Sequence, residues 1–323
     1  MAEVGRGTRI VRGSRAVQVV LARLGGAVFV LWMVATLTFF AIRLIPGDPA
    51  EAILGGPGSQ TSPEALAAVR AEYGLDQPVL VQYLGQLARL ATGDLGRSYS
   101  LNQDVAPLLV GQLGGTLLLA VLALGVAWLL ALGLATWSTR GGRLAWYLGS
   151  GLEIVAAALP HFWLATALIV LFSVWLGWLP PISTSGVSGL VLPVLTLAVP
   201  LAGFLGQIMR ESLLTALESP FVLSARARGE SERGVRWMHV IRHASLPAIS
   251  LSGWAFGSLL SGAVVVETIF ARPGLGRTLL NAVTVRDVPV VVGAVLIVAV
   301  GYILMTLLTD LAQRIADPRL RAG

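Results

Sequence analysis

Residues 211–247 read ESLLTALESPFVLSARARGESERGVRWMHVIRHASLP and form the longest polar segment in the second half of the chain. Long uncharged runs lie on both sides, so a polar segment between two membrane spans must face water. Five arginines lie within it, and Arg210 stands at its entrance. Because cytoplasmic loops carry the excess of positive charge, the sequence predicts that this segment is cytoplasmic.

The segment carries the start and end signals of two helices. Ser219, followed by proline, predicts an N-cap for a helix over residues 220–228, which Gly229 ends. Ser231 predicts the cap of a second helix, which is expected to continue to about residue 243 and to end before the next proline. Two short helices are therefore expected between the flanking spans.

Small side chains alternate with arginines on the first of these helices. Ser224, Ala225, Ala227 and Gly229 would let another surface come close, and arginine suits acidic partners. Charge and size alone leave two interpretations open. The segment is either a solvated basic loop that only sets membrane topology, or a docking surface for another protein.

The segment also resembles the cytoplasmic loop of ABC-transporter permeases of the dipeptide/oligopeptide (DppB/OppB-like) family. That family's pattern is close to YVrtARAKG, about nine residues, then HxxRNxxxP. Here it stands as FVLSARARG over residues 221–229 and HVIRHASLP over residues 239–247. The departures are Phe221 for tyrosine, Arg228 for lysine and His243 for asparagine, and they keep the small residues and the terminal glycine.

In that family the loop forms a coupling helix that docks in a groove of the ATP-hydrolysing subunit. The resemblance therefore implies a docking role for seven residues. They are Ser224, Ala225, Arg226, Ala227, Arg228, Gly229 and Pro247.

Composition indicates a polytopic membrane protein. Apolar residues make up 55% of the chain and charged residues 12%, whereas a soluble domain has about 25% charged residues. The chain has no cysteine, which excludes disulfides and thiolate metal sites. All 23 basic residues are arginine. A Walker A loop needs a lysine, so a usual P-loop ATPase is excluded and the chain is not expected to be an enzyme. The arginines cluster at span ends, which argues against nucleic-acid binding.

The first span follows a basic N-terminal segment, residues 1–23, that is predicted to be cytoplasmic. The apolar run over residues 24–42 is longer than the 7–15 residues or so of a signal-peptide core. It fits the roughly 20 residues that cross a bilayer. We therefore predict an uncleaved first transmembrane helix over residues 24–45.

Residues 46–113 are predicted to form an extracytoplasmic subdomain, because acids outnumber arginines there. A helix is expected from Ser62-Pro63 to Gly74, and an amphipathic helix over residues 79–90. The resemblance extends to this region through four motifs typical of the family's first loop. They are PGDP at 46–49, GLDQP at 74–78, QYL at 82–84 and GDLG at 93–96.

The permease-like core is predicted over residues 114–311, with the cytoplasmic loop at 210–247 and a cytoplasmic tail at 312–323. A stretch rich in glycine and proline, residues 177–186, cannot be continuous helix and separates two spans. The turn at 140–143 is basic and is placed inside. Five further spans are expected at about 116–137, 148–176, 190–208, 248–266 and 290–308.

Four charged residues near span ends are candidates for structural or gating roles. Glu153 lies near the cytoplasmic end of the third span, where helix pairing is the favoured role. Glu267 could pair with Arg272, Arg277 or Arg286. The family shows EtvFxxPGLG and RDyP where this chain has residues 267–276 and 286–289, so the gating candidates are Glu153, Glu267, Arg286 and Asp287.

These assignments give an all-α protein with six transmembrane helices, resembling a type I ABC importer permease. Sixteen arginines lie in segments placed inside and seven in segments placed outside, which favours two cytoplasmic termini. The tail DPRLR at 317–321 also matches the family's usual ending.

Two other classes of function stay open at this point. Residues 186–189, GVSG, superficially resemble the GxSG of intramembrane rhomboid proteases, but a catalytic pair needs a histidine within reach of the serine. The three histidines are His161, His239 and His243, and two of them are placed in the cytoplasm. A channel or secondary transporter usually buries charged groups for ions, and spans two, four, five and six have none.

The resemblance, which covers about residues 24–321, implies the permease subunit of an ATP-driven importer in a bacterial inner membrane. It implies four kinds of partner: a second homologous permease, two ABC ATPases that hold ATP and magnesium, an extracytoplasmic solute-binding protein, and membrane lipid. The solute is expected to be a di- or oligopeptide, with nickel chelates, glutathione or another small solute as alternatives. No cofactor and no metal site are expected in this chain.

Overall fold

The computed structural model of the protein describes residues 4–44, 48–54, 61–140 and 142–316. Within these ranges the regular elements are helices, apart from an isolated bridge between Arg97 and Asp104. The first two residues of the PGDP motif and the DPRLR tail lie outside the described residues. The all-helical class predicted from the sequence is confirmed.

The chain divides into two compact units. The first comprises Met1–Pro107 and Ala282–Ile303, and the second comprises Leu108–Asn281 and Leu304–Gly323. Within the described residues the α-helices in chain order are α1 Val4–Arg43, α2 Pro49–Ile53, α3 Pro63–Glu72, α4 Val79–Ala91, α5 Val105–Ser138, α6 Arg143–Ala158, α7 His161–Leu168, α8 Ser188–Leu217, α9 Pro220–Ala227, α10 Glu232–Gly234, α11 Ile241–Ile269, α12 Leu275–Thr284 and α13 Val288–Ala316; π-helical stretches follow α7 at Ile169–Trp175 and α10 at Val235–Val240.

In the first unit, α4 packs along the end of α1. Tyr83 lies between the two helices, where its hydroxyl is 3.2 Å from Trp32 Nε1 and 2.8 Å from Thr36 Oγ1. The two helices predicted in the outer segment are confirmed as α3 and α4. Ser62 accepts from the Ala65 N–H, and Gly74 has a φ of +63°, so the predicted start and stop of α3 are also correct.

In the second unit, α8 is the central helix and packs against α6 and α11. Its contact with α6 is close because glycines face that helix. A Cβ on Gly203 would overlap the Ala157 backbone, and one on Gly206 would lie 3.2 Å from Glu153 Cγ. Small residues at a membrane helix interface let the backbones approach in this way.

Among the described residues, five helices are long and apolar enough to cross a membrane. A sixth span results if α6 and His161–Trp175 count as one, although these two helices meet at a bend of 106°. The continuous third span predicted over 148–176 is therefore wrong. Pro160 has no N–H, and the residue before a proline is disfavoured in helical conformation, as Leu159 with a ψ of 121° shows.

The other spans occur, but their helices are longer than predicted. The second begins at Val105, inside the segment assigned to the outer subdomain, and the fourth covers Ser188–Leu217. The fifth is part of a continuous helical stretch, Glu232–Ile269. The apolar runs marked only the parts of these helices that suit hydrocarbon.

Candidate functional site

The short helix α9 occupies the centre of the loop that the sequence singles out. Pro220 is its first residue, and it ends at Ala227, one residue earlier than predicted. Gly229 follows with a φ of +84°, the left-handed conformation that favours glycine after a helix. The predicted side-chain cap is wrong, because Ser219 Oγ donates to the Ala216 carbonyl at 2.5 Å instead of accepting from α9.

One face of α9 is buried and the other is open. Val222 is 0% exposed and Ala225 is 1% exposed, so both pack inside the chain. Ala225 is therefore placed wrongly in the predicted docking contact. Five other candidate residues are exposed: Ser224, Arg226, Ala227, Arg228 and Gly229.

Several contacts, within the loop and to the end of α5, support α9. Arg226 forms a bidentate ion pair with Glu232: Nε donates to Oε1 at 2.8 Å and Nη2 donates to Oε2 at 3.1 Å. Arg236 Nη2 donates to the Thr139 carbonyl at 2.6 Å, which ties the loop to the end of α5. His239 Nε2 lies 3.0 Å from a Glu230 carboxylate oxygen. The exposed face of α9 therefore belongs to a loop that these contacts hold in position.

The second half of the loop differs from its prediction. Ser231 accepts from the Gly234 N–H at 3.2 Å, as expected for its predicted cap. The helix then continues through a π-helical stretch, Val235–Val240, into α11 and does not end before Pro247. Pro247 is exposed within α11, so as a docking candidate it lies on a membrane-span helix rather than after the loop.

Glu153 is buried at the contact between α6 and α8. Its Oε2 accepts from Arg210 Nε at 2.6 Å, and Arg210 Nη2 also lies 3.3 Å from Ser150 Oγ. Glu153 Oε1 has no hydrogen-bond partner among the described residues. The carboxylate of α6 thus contacts Arg210 of α8.

Glu267 is also fully buried, but its partners are not arginine side chains. Its carboxylate accepts from the Thr116 hydroxyl at 2.5 Å and from the Arg277 N–H at 3.1 Å. The Arg277 guanidinium donates to the Ala271 carbonyl instead, so the pairing predicted with that side chain is wrong. The motif's glycines make room for this arrangement, since a Cβ on Gly274 would overlap the Glu267 carboxyl group.

Asp287 fixes the start of α13 to the outer segment of the first unit. It accepts from Ser98 Oγ at 2.5 Å and from Ser100 Oγ at 2.9 Å, and its other oxygen lies 3.4 Å from the Val290 N–H. The preceding residue, Arg286, has a φ of +57°. The contacts of Asp287 connect the start of α13 to Ser98 and Ser100. Arg286 and Asp287, two of the residues named as gating candidates, therefore lie at a structural connection.

Asp48, the described aspartate of the PGDP motif, lies near Arg286 and pairs with Arg70 at 2.5 Å. Burial alone would raise the pKa of Asp48. The hydrogen bonds from Arg70 and the Ala50 N–H, together with the charges of Arg70 and Arg286, hold the pKa below its ordinary value.

The sequence missed the neutral partners of these acids. Thr116, Ser98 and Ser100 lie far from them along the chain, in an apolar run or a turn, and nothing local marks them. Arg210 was visible as the first charge after a long apolar run. In the described part of the chain, no three His, Cys, Asp or Glu side chains are grouped to hold a metal ion.

Two family models match the sequence. Residues 127–322 match the binding-protein-dependent transport system inner membrane component, and residues 16–120 match the N-terminal membrane component of the same systems. The chain belongs to this family. The permease is thus an inner-membrane component of the DppB/OppB-like type of ABC importer.

Two curated relatives cover nearly the whole permease. It is 38% identical over 319 residues to a protein of Brucella abortus (strain 2308) named as a peptide transport system permease, covering 94% of this chain and 98% of the relative. It is 35% identical over 304 residues to the glutathione transport system permease GsiC of Salmonella typhimurium (strain LT2), with the same two coverages.

A solved structure supports the fold of the core. The inward-facing MetNI methionine ABC transporter matches with a TM-score of 0.53 and 17% identity, covering 65% of the permease and 96% of that chain. At this identity the likeness shows the fold alone. The matched part of the permease therefore has the fold of a type I ABC importer subunit.

Proposed function

We propose that the permease forms one half of the pore of an ATP-driven importer for di- or oligopeptides. A second, homologous permease supplies the other half. Two ABC ATPases, which hold ATP and magnesium, lie below, and a solute-binding protein delivers the solute from outside. Membership of the family supports the general partners, and the numbers of subunits are part of the proposal.

The observation that carries the proposal is the exposed face of α9 with Gly229. Ser224, Ala227 and Gly229 are small and exposed, and a Cβ added to Gly229 would meet no atom within 4 Å. Small side chains on a supported helix let a partner's surface come close, and Arg228 beside them suits an acidic partner. This face is the proposed ATPase contact.

The chain offers a short path from this contact to the membrane core. Only Glu218 and Ser219 separate α9 from α8, and α8 pairs with α6 through Arg210 and Glu153. A rigid-body movement of α9 on ATP binding would therefore displace α8 and its partner helix together. In this mechanism the acids at 153 and 267 hold the bundle and do not contact the solute.

The proposed orientation has both termini in the cytoplasm, supported by the bias of arginines toward the segments placed inside. The helices α3 and α4 then lie outside, where a binding protein would dock. Deleting residues 62–73 should reduce the stimulation of ATP hydrolysis by the binding protein. Unchanged stimulation would place the docking surface elsewhere.

Peptides are proposed as the solute because the Brucella relative is named as a peptide permease. Glutathione, itself a tripeptide, is the solute named for the Salmonella relative, and the lower identity to it makes glutathione the second choice. Uptake of labelled dipeptides, longer peptides and glutathione by cells that express the complete transporter would decide between them.

Assembly is tested by purifying the tagged permease from its native membrane in mild detergent and identifying the co-purifying proteins by mass spectrometry. We expect a second permease of similar length and P-loop ATPases. Recovery of the permease alone, under conditions that keep a known ABC importer intact, would contradict the proposal.

A further inference from the structure

Two adjoining depressions follow the helices α5, α6 and α8 in the second unit. The first has a volume of about 470 Å³ and is almost entirely apolar. Its lining includes Leu130, Gly133 and Trp137 of α5, and Ala156 and Ala202 of α6 and α8. Its size lies within the range of about 300–1,000 Å³ that is typical of small-ligand pockets.

The second depression, of about 310 Å³, is lined by residues of α5, α6 and α8 or of the turn between α5 and α6. Trp137 lines the first and Ser138 lines the second. Its lining is polar and aromatic, with Arg143, Trp146 and Tyr147. None of the residues that line either depression is an acid.

Further positive charge surrounds the second depression. The Arg210 guanidinium lies 5.8 Å from the centre of the Trp146 ring, and the Arg236 guanidinium bonds to Thr139. Arg140, next to Thr139, is exposed and forms no ion pair with a described residue. Among these arginines, Arg210 forms an ion pair with a described acid, the buried Glu153. An anion is the complementary ligand.

The length of the two depressions fits one leaflet. On α8 the first depression is lined by Val199, Ala202 and Gly203 and the second by Leu214; at 1.5 Å per residue, Val199 and Leu214 are about 22 Å apart. One leaflet is about 15 Å of hydrocarbon and about 21 Å with its headgroups. Tryptophan and tyrosine at the polar end also stand where such side chains meet the membrane interface.

We infer that this groove is a binding site for an anionic phospholipid. An acyl chain occupies the apolar depression, and the phosphate lies among Arg140, Arg143 and the Trp146 and Tyr147 rings. The change from apolar to basic along one groove matches the two parts of a phospholipid, whereas a transmembrane helix of another subunit would be apolar along most of this length. The site itself does not depend on the proposed function; only the side of the membrane that its basic end faces, the cytoplasmic side in the proposed orientation, does.

The headgroup contact is tested by native mass spectrometry of the transporter, purified through the full-length permease. Phosphatidylglycerol and phosphatidylcholine with the same acyl chains are added separately. We expect phosphatidylglycerol to bind more tightly. Arg140→Gln and Arg143→Gln should each weaken its binding roughly fivefold, the factor expected for one basic residue near an anionic surface. Arg233→Gln, which removes an exposed arginine outside the groove, should change nothing.

The acyl-chain contact has a matched pair of variants on α5. A Cβ at Gly133 or at Gly125 would meet no atom within 4 Å, but only Gly133 lines the groove. Gly133→Leu should fill the apolar depression and reduce phosphatidylglycerol binding at least fivefold, whereas Gly125→Leu should bind as the unmodified permease does. A fold that is intact in both variants is checked by their thermal unfolding.

Three results would overturn the inference. The first is equal affinity for the two lipids, and the second is unchanged binding by Gly133→Leu. The third is a cross-link from Gly133→Cys to another subunit in the assembled transporter, because a protein would then cover the groove. The natural chain has no cysteine, so that cross-link would be unambiguous.

Discussion

A Cβ added to Gly229 would meet no atom within 4 Å, whereas one added to Gly274 would overlap the carboxyl group of Glu267. Both glycines belong to motifs that carry the family resemblance. In the loop at 220–229 the glycine provides a positive φ and leaves space outside the chain. In the segment 267–276 other atoms of the permease occupy the space beside the glycines, so that motif serves internal packing.

By this contrast, the segment at 267–276 serves folding and the loop at 220–229 serves coupling. The segment at 267–276 should tolerate no added atoms, and its variants should unfold more easily. At its exposed positions the loop at 220–229 should tolerate added atoms without loss of folding, and variants at those positions should impair transport instead.

Gly274→Ala should have the largest effect. The new methyl group must displace the buried carboxylate of Glu267, which costs its hydrogen bonds and overpacks the site, together about 3 kcal/mol. The measurement is the thermal unfolding of the purified permease in detergent. Gly125→Ala is the matched control and should not lower the midpoint, because open space surrounds that glycine. Equal midpoints for the two variants would contradict the packing described here.

Glu267→Ala should cost about 2 kcal/mol, since it leaves the buried Thr116 hydroxyl and the partly buried Arg277 N–H without their acceptor. The sharper test combines it with Gly274→Ala. Once the carboxyl group is gone, the second change should cost little more, so the two effects should be strongly non-additive. Simple additivity would mean that Gly274 does not make room for Glu267.

The two serines of the loop allow a smaller test. Ser231→Ala removes an N-cap that accepts from the Gly234 N–H, and should weaken the start of that helix by about 1 kcal/mol. Ser219→Ala removes only a bond that Ser219 donates to the Ala216 carbonyl, and its effect should be smaller. Hydrogen exchange of the backbone amides at 232–236 and 221–224 measures both. The reverse order would contradict the capping assigned to Ser231.

These cases also show what the sequence could predict. Helix ends set by a cap or a left-handed glycine, at Ser62, Gly74 and Gly229, were readable because their causes lie within a few residues. A proline in the sequence, by contrast, does not by itself predict whether a helix bends or ends there. It bends the third span at Pro160, whereas Pro247 lies within the continuous helix α11, and packing around the helix decides between these outcomes.

The candidate site was predictable to the same extent. The helix at 220–227 and its exposed small residues follow from the local pattern. The burial of Ala225 does not, because it depends on which face of α9 meets the rest of the chain. The partners of Glu267 were predicted as arginines because charge is visible in a sequence, whereas a backbone N–H and a distant threonine hydroxyl are not.

The central claim is that Gly229 keeps space for the ATPase, and Gly229→Asn tests it with little change in folding. Asparagine adopts a positive φ readily, so the cost in stability should stay below about 1 kcal/mol. Gly229→Ala is the control in which the two effects are reversed. Alanine adds fewer atoms than asparagine, but it is more strained at a positive φ. Membrane insertion should be normal in both variants.

The measurement is uptake of labelled peptide by cells with the assembled transporter, together with the amount of ATPase that co-purifies. We predict that Gly229→Asn lowers uptake at least tenfold and lowers uptake more than Gly229→Ala does. Uptake by Gly229→Asn at the rate of the unmodified permease would contradict the account, because the space at Gly229 would then not be where the ATPase docks.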